Sequence, residues 1–149
     1  MRVVVQRVTQ GSVEVDGEVV GQIGPGLLVL VGFRPGDGDG DLDWMARKLV
    51  GLRLFEDADG KMNLSVEETG GALLLVPQFT LYGDCRKGRR PGFSDALAPD
   101  EATVLFDRFC DVVASSGRPV QRGVFGAHMR VLLLNDGPVT LIMDSPQPE

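Results

Sequence analysis

The chain alternates between short apolar runs and turn residues, and most of these runs have the length and pattern of β-strands. Residues 3–8 and 12–15 are rich in valine, a β-branched residue, and predict the first strands. Asp16-Gly17 then precedes the alternating segment 18–23, a combination that is typical of a β-hairpin. The uninterrupted apolar segment 27–33 predicts a fully buried strand.

Two segments instead keep the spacing of an amphipathic helix. The first follows the glycine-rich loop 35–40, and either Asp39 or Asp41 is a candidate N-cap. The second runs from Pro99 to about Ser115, and proline suits the first turn of a helix. The apolar stripes are Leu42, Met45, Leu49 and Leu52 in the first helix and Ala102, Leu105, Phe106, Phe109, Val112 and Val113 in the second.

The rest of the chain adds further strand candidates, and one of them contains a proline. Residues 72–81 would form one long strand, but Pro77 predicts an edge position, a bulge or a break. The whole pattern predicts one α+β domain, residues 1–145, with a largely antiparallel sheet and a frayed tail at 146–149. The remaining strand candidates are 54–55, 120–124, 129–134 and 139–143.

The composition is that of one globular domain, since the 149 residues are 43% apolar and 24% charged. The apolar runs are too short to cross a bilayer and the N-terminus lacks a signal-peptide pattern, so we expect a cytosolic protein without a membrane partner. The net charge of −6 argues against sequence-independent binding to nucleic acid, DNA included. Cys85 and Cys110 lack the spacing of a metal or redox motif, which predicts free thiols.

The segment from Asn135 to Thr140, Asn-Asp-Gly-Pro-Val-Thr, separates the last two strand candidates. Asn, Asp and Gly tolerate the positive φ of tight turns, so the segment predicts a hairpin turn. Pro138 removes a backbone donor where the second strand should begin, and the bond before a proline is one that can be cis. The simplest interpretation is a turn with a trans proline. The alternative is a Gly137–Pro138 pair whose backbone carbonyls face a ligand.

Two loops carry charges that allow a functional interpretation. Residues 84–93 hold a concentrated group of cations, which predicts either a solvated loop or a contact with phosphate groups. Residues 57–60 contain two aspartates, but the EF-hand spacing is incomplete and a plain turn is favoured over a calcium loop. The cations of the first loop are Arg86, Lys87, Arg89 and Arg90.

His128 is the only histidine and therefore limits the catalytic arrangements available. We expect it in a strand over 125–134, on the face opposite the core residues, as a surface or rim residue rather than a catalytic base. No histidine and cysteine residues have the spacing of a zinc site. Gln78 and Thr80 would share one strand face, yet a threonine hydroxyl without a neighbouring base is a poor nucleophile. The residues alone predict no conventional catalytic machinery.

Motifs along nearly the whole chain resemble those of the D-aminoacyl-tRNA deacylases, enzymes that hydrolyse D-amino acids from mischarged tRNA. Each motif is weak by itself, but the full set in this order is highly specific. The chain departs from the family pattern at Pro77, where serine is usual, and in a smaller way at Gly92, where serine is also more usual. The motifs are Gln6-Arg-Val-Thr9 with Ser12-Val13, Gly26-Leu-Leu-Val29, Lys61-Met-Asn-Leu64, Gln78-Phe-Thr-Leu81, Arg90-Pro91 with Phe93-Ser94, Gly123-x-Phe125 with Ala127-x-Met129, and Asn135-Asp-Gly-Pro-Val-Thr140.

The resemblance implies a homodimer with a barrel-like sheet packed by two main helices and with both active sites at the subunit interface. The Gly137–Pro138 pair would be cis and would reach into the partner's pocket, where its carbonyls exclude an L side chain but leave room for a D side chain. Glycyl-tRNA, including glycine mischarged onto alanine tRNA, should then also be cleaved. Neither a metal nor another cofactor is implied.

The resemblance also assigns roles to residues. Gln78, Phe79 and Thr80 would form the catalytic wall, with backbone amides holding the ester carbonyl. The 2′-hydroxyl of the terminal adenosine would take part in activating water, which predicts an RNA-dependent hydrolysis at the acceptor end of tRNA. The implied substrate-binding residues are Arg7, Phe125, Met129, Gly137, Pro138, Val139 and Thr140. The implied tRNA contacts are Arg86, Lys87, Arg89 and Arg90.

Two other functions stay open at this point. The first is a tRNA-binding module that keeps the scaffold but has lost turnover, for which Pro77 is the main argument. The second is an esterase that uses Thr80 as its nucleophile. A 2′-deoxy terminal adenosine should abolish hydrolysis in the deacylase alone, whereas Thr80→Ser should retain turnover in the esterase.

Overall fold

Eight strands and three α-helices make up the computed structural model, which describes residues 1–146. Of the tail predicted at 146–149, residues 147–149 lie outside the described part of the chain. The strands are β1 (Arg2–Val15), β2 (Glu18–Ile23), β3 (Gly26–Gly32), β4 (Phe55–Glu56), β5 (Met62–Leu64), β6 (Ala72–Pro77), β7 (Val120–Arg122) and β8 (Arg130–Asp144). The helices are α1 (Asp39–Gly51), α2 (Val66–Thr69) and α3 (Pro99–Ala114), with a 3₁₀ helix at Phe79–Tyr82.

Strand β1 organises the main sheet. One of its edges pairs with β8 over almost its whole length, and the other pairs with β3 through residues 2–8 and with β2 through residues 11–15. All three pairings are antiparallel, but β6 pairs in parallel with both β3 and β7. The prediction of a largely antiparallel sheet therefore holds in part, because three of the five pairings in the main sheet are antiparallel and two are parallel. The cause is that α1 lies in the connection from β3 to β6, and α3 in the one from β6 to β7, because parallel strands need such long crossovers.

The sheet has one core on each face. Leu27 and Val29 of β3 and Leu73 and Leu75 of β6 point to α1 and α3 and are fully buried. The alternate residues of the same strands point to the other face, where the sheet curls over itself and is nearly closed. A Cβ on Gly21 of β2 would lie 3.0 Å from the carbonyl oxygen of Arg122, which places β2 against β7. The second core consists of Val8, Val13, Ile23, Leu28, Leu74 and Val76.

Both predicted main helices are confirmed, and their ends have identifiable causes. Gly38, not an aspartate, is the N-cap residue of α1, and the carboxylate of Asp41 accepts a hydrogen bond of 2.9 Å from its backbone N–H. Helix α3 starts with Pro99 in its first turn. The short α2 was missed, although Ser65 and Glu68 form a capping box that the sequence displays as Ser-x-x-Glu.

Three further predictions concerned the two cysteines, the turn at 57–60 and membrane-spanning segments. Cys85 is a free exposed thiol and Cys110 a free buried one, as the spacing predicted. The segment at 57–60 forms the predicted turn, in which the Asp57 carboxylate accepts hydrogen bonds from the backbone of Asp59 at 2.9 Å and of Lys61 at 3.1 Å. None of the helices within residues 1–146 has both the length and the apolar character that a bilayer crossing requires.

Candidate active site

A cavity of about 360 Å³ opens beside the C-terminal end of β6. One wall comes from the end of β6 and the start of the 3₁₀ helix, and the other from the segment that links β7 to β8. The lining is mostly apolar. It comprises Val76, Pro77, Gln78, Phe79, Leu97, Pro99, Phe125, Gly126, Ala127, His128, Met129 and Val131.

The first wall differs from the predicted strand. Strand β6 ends at Pro77, and the chain then turns into the 3₁₀ helix, so Gln78 and Thr80 do not share a strand face. The backbone N–H of Gln78 still donates to the Val31 carbonyl of β3 at 2.7 Å. Its side-chain amide donates to the Thr80 hydroxyl, while Phe79 is half exposed. Pro77 predicted an edge position, a bulge or a break in the strand, and the structure shows the break.

Pro77 is the last residue of β6, where pairing with β3 continues but pairing with β7 has stopped. Successive backbone groups of a strand point to opposite neighbours, and Gln78 donates to β3. The missing N–H of Pro77 therefore faces the β7 side. On that side the Leu75 carbonyl accepts a hydrogen bond of 2.8 Å from the Gly123 N–H, and the ladder with β7 stops at Pro77, which has no N–H to donate.

The second wall is irregular where a strand was predicted. Residues 123–129 form turns, β8 begins at Arg130, and His128 lies at the exposed rim of the same cavity that Phe125 and Met129 line. The predicted strand over 125–129 is therefore wrong, but the expected rim position of His128 is confirmed, because His128 is exposed whereas Phe125, Ala127 and Met129 are partly buried. A Cβ on Gly123 would lie 2.8 Å from the Met129 sulfur, so glycine lets this wall close.

The cavity offers little side-chain chemistry. His128 is the one ionisable group among its lining residues within the described chain, and it is exposed. Within residues 1–146, the side chain that hydrogen-bonds the Thr80 hydroxyl is the Gln78 amide, which is not a base. A threonine in this setting has no group that would take its proton.

The predicted basic loop joins the first wall. Asp84 and Gly92 close it through two backbone hydrogen bonds of 2.7 and 2.9 Å, and at its base the ring of Phe93 packs edge-on against Phe79, with 5.3 Å between centroids. The Arg86 guanidinium donates to the Asp84 carboxylate at 2.8 Å, and this hydrogen bond lowers the pKa of Asp84 to about 2. Lys87, Arg89 and Arg90 are exposed and form no ion pair within residues 1–146.

The segment 135–140 is a bulge and not the predicted hairpin turn. Strand β8 continues through it, and Asn135 pairs with Val8 while Thr140 pairs with Gln6. These two pairs are five residues apart along β8 but only two residues apart along β1, so the surplus residues of β8 loop out of the strand. The Gly137–Pro138 bond is cis, so the interpretation with a trans proline is also wrong.

Two side chains hold this bulge. Arg7 is only 6% exposed and donates from Nε to the Asp136 carbonyl at 3.1 Å and from Nη1 to the Leu54 carbonyl at 2.8 Å. The Asn135 amide donates to the carbonyls of Arg7 at 3.1 Å and Val139 at 2.9 Å. The sequence presented Asn135 only as a turn residue. Its structural role depends on a strand that lies more than a hundred residues away, so no local signal could have indicated it.

Within one chain, the cavity and the bulge lie apart. Pro77 pairs with Val31, which pairs with Val3 of β1, whereas the bulge lies opposite Arg7. Four residues of a strand separate Val3 from Arg7, or about 13 Å. Residues 137–140 do not line the cavity. A single chain therefore brings Gln78, Phe79, Phe125 and Met129 together but leaves Gly137 and Pro138 outside this group.

Comparisons with known proteins agree with this architecture. Residues 4–144 match the family model described as D-Tyr-tRNA(Tyr) deacylase. A relative from Myxococcus xanthus (strain DK1622), described as a D-aminoacyl-tRNA deacylase, is 57% identical over 99% of this chain and 97% of its own. One from Desulfitobacterium hafniense (strain DSM 10664 / DCB-2), with the same description, is 59% identical over 97% of both chains.

Two solved structures are also similar. One, described as c-Myc DNA Unwinding Element Binding Protein, superposes with a TM-score of 0.93 at 41% identity and covers 99% of this chain and 100% of its own. Another, described as a probable eukaryotic D-amino acid tRNA deacylase, has a TM-score of 0.80 at 24% identity over 95% of this chain and 97% of its own, which shows a shared fold.

Fold, cavity and relatives together define a hydrolase that acts on aminoacyl-tRNA. The match of the family model over residues 4–144 makes the assignment specific. The chain belongs to the D-Tyr-tRNA(Tyr) deacylase family.

Proposed function

We propose that this protein hydrolyses the ester bond of D-aminoacyl-tRNA, releases tRNA and the free D-amino acid, and spares the L ester. The observation that carries the proposal is the family match over residues 4–144. The matched range contains both the segment 78–80 and the segment 135–140. Gln78 and Phe79 line the cavity, Thr80 follows them in the chain, and the 135–140 segment forms an exposed bulge that Arg7 and Asn135 hold.

The chemistry would rest on backbone groups and on the substrate. The N–H groups of Phe79 and Thr80 occupy the first two positions of the 3₁₀ helix, and within residues 1–146 they donate to no other backbone group. In the proposed reaction both would donate to the ester carbonyl, where negative charge develops. The 2′-hydroxyl of the terminal adenosine would help to activate water, which suits a cavity lined by a single ionisable side chain.

Selectivity would come from Gly137 and Pro138 of a second copy of the chain. Their backbone would face the α-carbon of the amino acid, so an L side chain would collide with it while a D side chain would point to open space. Glycine has no side chain to exclude. Glycyl-tRNA, including glycine mischarged onto alanine tRNA, would therefore also be cleaved.

A homodimer would unite the two separated halves of the site. Strand β8 exposes an apolar stripe, with Leu132 53%, Leu134 55% and Ile142 69% exposed. Such a stripe beside the bulge is suited to packing against its own copy about a two-fold axis. In that arrangement each active site would take its cavity from one chain and its bulge from the other.

The acceptor end of tRNA would approach along the basic loop, where Lys87, Arg89 and Arg90 are free to meet phosphates. DNA binding, which the name of one structural relative mentions, forms no part of the proposal. The alternative of an inactive tRNA-binding module still rests on Pro77, which lines the cavity and offers neither the backbone N–H nor the hydroxyl of the serine that is usual there.

The test is deacylation of D-tyrosyl-, L-tyrosyl- and glycyl-tRNA with catalytic amounts of protein. We expect loss of the D and glycyl esters and persistence of the L ester. A fourth substrate, D-tyrosyl-tRNA with a 2′-deoxy terminal adenosine, should resist hydrolysis. Equal loss of the D and L esters would contradict the chiral filter, and hydrolysis of the 2′-deoxy substrate would favour Thr80 as nucleophile. Binding of tRNA without any hydrolysis would favour the binding module.

A further inference from the structure

The C-terminal half of α1 and the residues that follow it carry a second basic surface, outside both the cavity and the basic loop. Arg47, Lys48 and Arg53 surround Trp44 and line a shallow depression with Gly51 and Leu52. We call Trp44, Arg47, Lys48 and Arg53 the α1 patch. All three cations are exposed, in a chain whose net charge is −6.

The cations of the α1 patch are not neutralised. Within residues 1–146, none of the three forms an ion pair with a carboxylate, whereas Arg108 on the neighbouring α3 pairs with Asp39. The Lys48 ammonium lies over the Trp44 ring, 5.5 Å from its centroid. Arg53 is fixed by a hydrogen bond of 3.2 Å to the Asn63 side chain. Two of the three charges are thus held in place by a neutral group.

The α1 patch is linked to the bulge through Leu54 and Arg7. Arg53 is followed by Leu54, whose carbonyl accepts a hydrogen bond of 2.8 Å from the Arg7 guanidinium. The same guanidinium donates to the carbonyl of Asp136 in the bulge. The patch is therefore next to the residue that anchors the 135–140 segment. In the proposed function this segment meets the aminoacyl group, so the RNA that carries the group must pass close to the bulge.

We propose that the α1 patch binds the sugar–phosphate backbone of the tRNA acceptor arm. The inference rests on the proposed function, because that function brings RNA to the bulge. Unpaired, positioned cations beside the path of a polyanion are the arrangement that phosphate contacts require. Trp44 orients Lys48 and reads no base, so the contact would be independent of tRNA sequence.

The test compares two substrates, D-tyrosyl-tRNA and the 3′-D-tyrosyl ester of adenosine, which lacks the acceptor arm. In the triple variant Arg47→Gln/Lys48→Gln/Arg53→Gln we expect KM for the tRNA to rise about tenfold at low salt. The slope of log KM against log salt concentration should also decrease, by the amount that corresponds to the loss of about two phosphate contacts. The kcat for the tRNA and both constants for the short ester should stay at wild-type values. Arg47→Lys/Arg53→Lys, which keeps the charges, should retain most of the affinity. Arg108→Gln is the control for loss of an exposed cation on a neighbouring helix.

An unchanged KM for the tRNA in the triple variant would overturn the proposal. An equal loss on both substrates would also overturn it, because the α1 patch would then act through the site and not through the acceptor arm. Failure of the wild-type protein to hydrolyse either D ester would instead count against the proposed function. In that case the affinity for uncharged tRNA, compared between wild type and triple variant, still decides whether the α1 patch contacts RNA.

Discussion

The Nε of Arg7 donates a hydrogen bond of 3.1 Å to the carbonyl oxygen of Asp136, and this contact fixes the segment that contains Gly137 and Pro138. The same guanidinium binds the Leu54 carbonyl from its Nη1 atom. A nearly buried arginine that donates to two backbone carbonyls holds them rigidly, because its planar guanidinium presents its donors in fixed directions. The position of the bulge therefore depends on a side chain from the neighbouring strand, in addition to the Asn135 amide within the bulge.

Replacing Arg7 should affect both stability and selectivity. We expect Arg7→Ala to lower the free energy of unfolding by about 2–4 kcal/mol, because charge-assisted hydrogen bonds are lost and acceptors are left without partners. Chemical denaturation measures this loss. The ratio of D to L hydrolysis should fall by about tenfold or more as the bulge loosens. Arg108→Ala, which removes an exposed cation, should change neither quantity appreciably.

Gly137 should not tolerate a side chain. Its φ is +127°, and an added Cβ would lie 2.9 Å from Val139 Cγ2 and 3.0 Å from Arg7 Nη2. Gly17→Ala is a matched control, because Gly17 also has a positive φ, of +81°, but has open space around it. Gly17→Ala should lose about 1–2 kcal/mol of stability for its positive φ, and Gly137→Ala should lose more, because its Cβ is also crowded. Only Gly137→Ala should lose deacylation of D-tyrosyl-tRNA, by about tenfold or more, and equal activity of the two variants would contradict the role of the bulge.

Tyr82 provides a direct spectroscopic test, since it is the only tyrosine. Burial, which disfavours the phenolate, raises its pKa from 10.0 to about 12. The unfolded chain should therefore lose its proton first, and this contribution to stability should disappear as the pH rises from about 10 to 12. The absorbance of phenolate at 295 nm should titrate near 10 in urea and about two units higher in the native protein. Identical titration curves would show that the Tyr82 hydroxyl is not buried.

The two thiols should differ in reactivity. Burial raises the pKa of Cys110 to about 11, whereas Cys85 is exposed in the basic loop. At pH 8, iodoacetamide should modify one thiol in the native protein and two in urea, as measured by mass spectrometry. Cys85→Ser should abolish the native modification. Rapid labelling of Cys110 would contradict the packing of α3 against the sheet.

Local chemistry predicted much of this fold because helices and strands depend on neighbouring residues. The apolar stripe from Ala102 to Val113 predicted that one face of α3 is buried, and Pro99 predicted where this helix starts. Strand pairing was not predictable in the same way. The parallel β3–β6 and β6–β7 pairs depend on where distant strands meet, and the presence of α1 and α3 in the crossovers was the signal that could have indicated them.

The candidate site was predictable in its members but not in its geometry. Asn135-Asp136-Gly137 has the same conformational freedom in a turn as in a bulge, and the choice was made by pairing with β1. The end of β6 is likewise a matter of pairing, since Gln78 makes the last hydrogen bond to Val31 of β3, which lies in a different part of the sequence. Residue types therefore indicated which segments mattered, while tertiary contacts decided their shapes.

The central claim is that each active site combines the cavity of one chain with the bulge of another, and mixed dimers test it most directly. Phe79→Ala alters the cavity and Gly137→Ala alters the bulge, so a heterodimer of the two contains one site with both parts intact. The two variants would be co-expressed with different tags and purified through both. Activity would be measured on D-tyrosyl-tRNA and compared with that of each variant homodimer.

We expect the heterodimer to recover about half of the wild-type activity, because one of its two symmetric sites is restored. If the cavity and bulge of the same chain worked together, every site in the heterodimer would carry one defect. Activity would then stay at the average of the two variant homodimers, and this result would contradict the account.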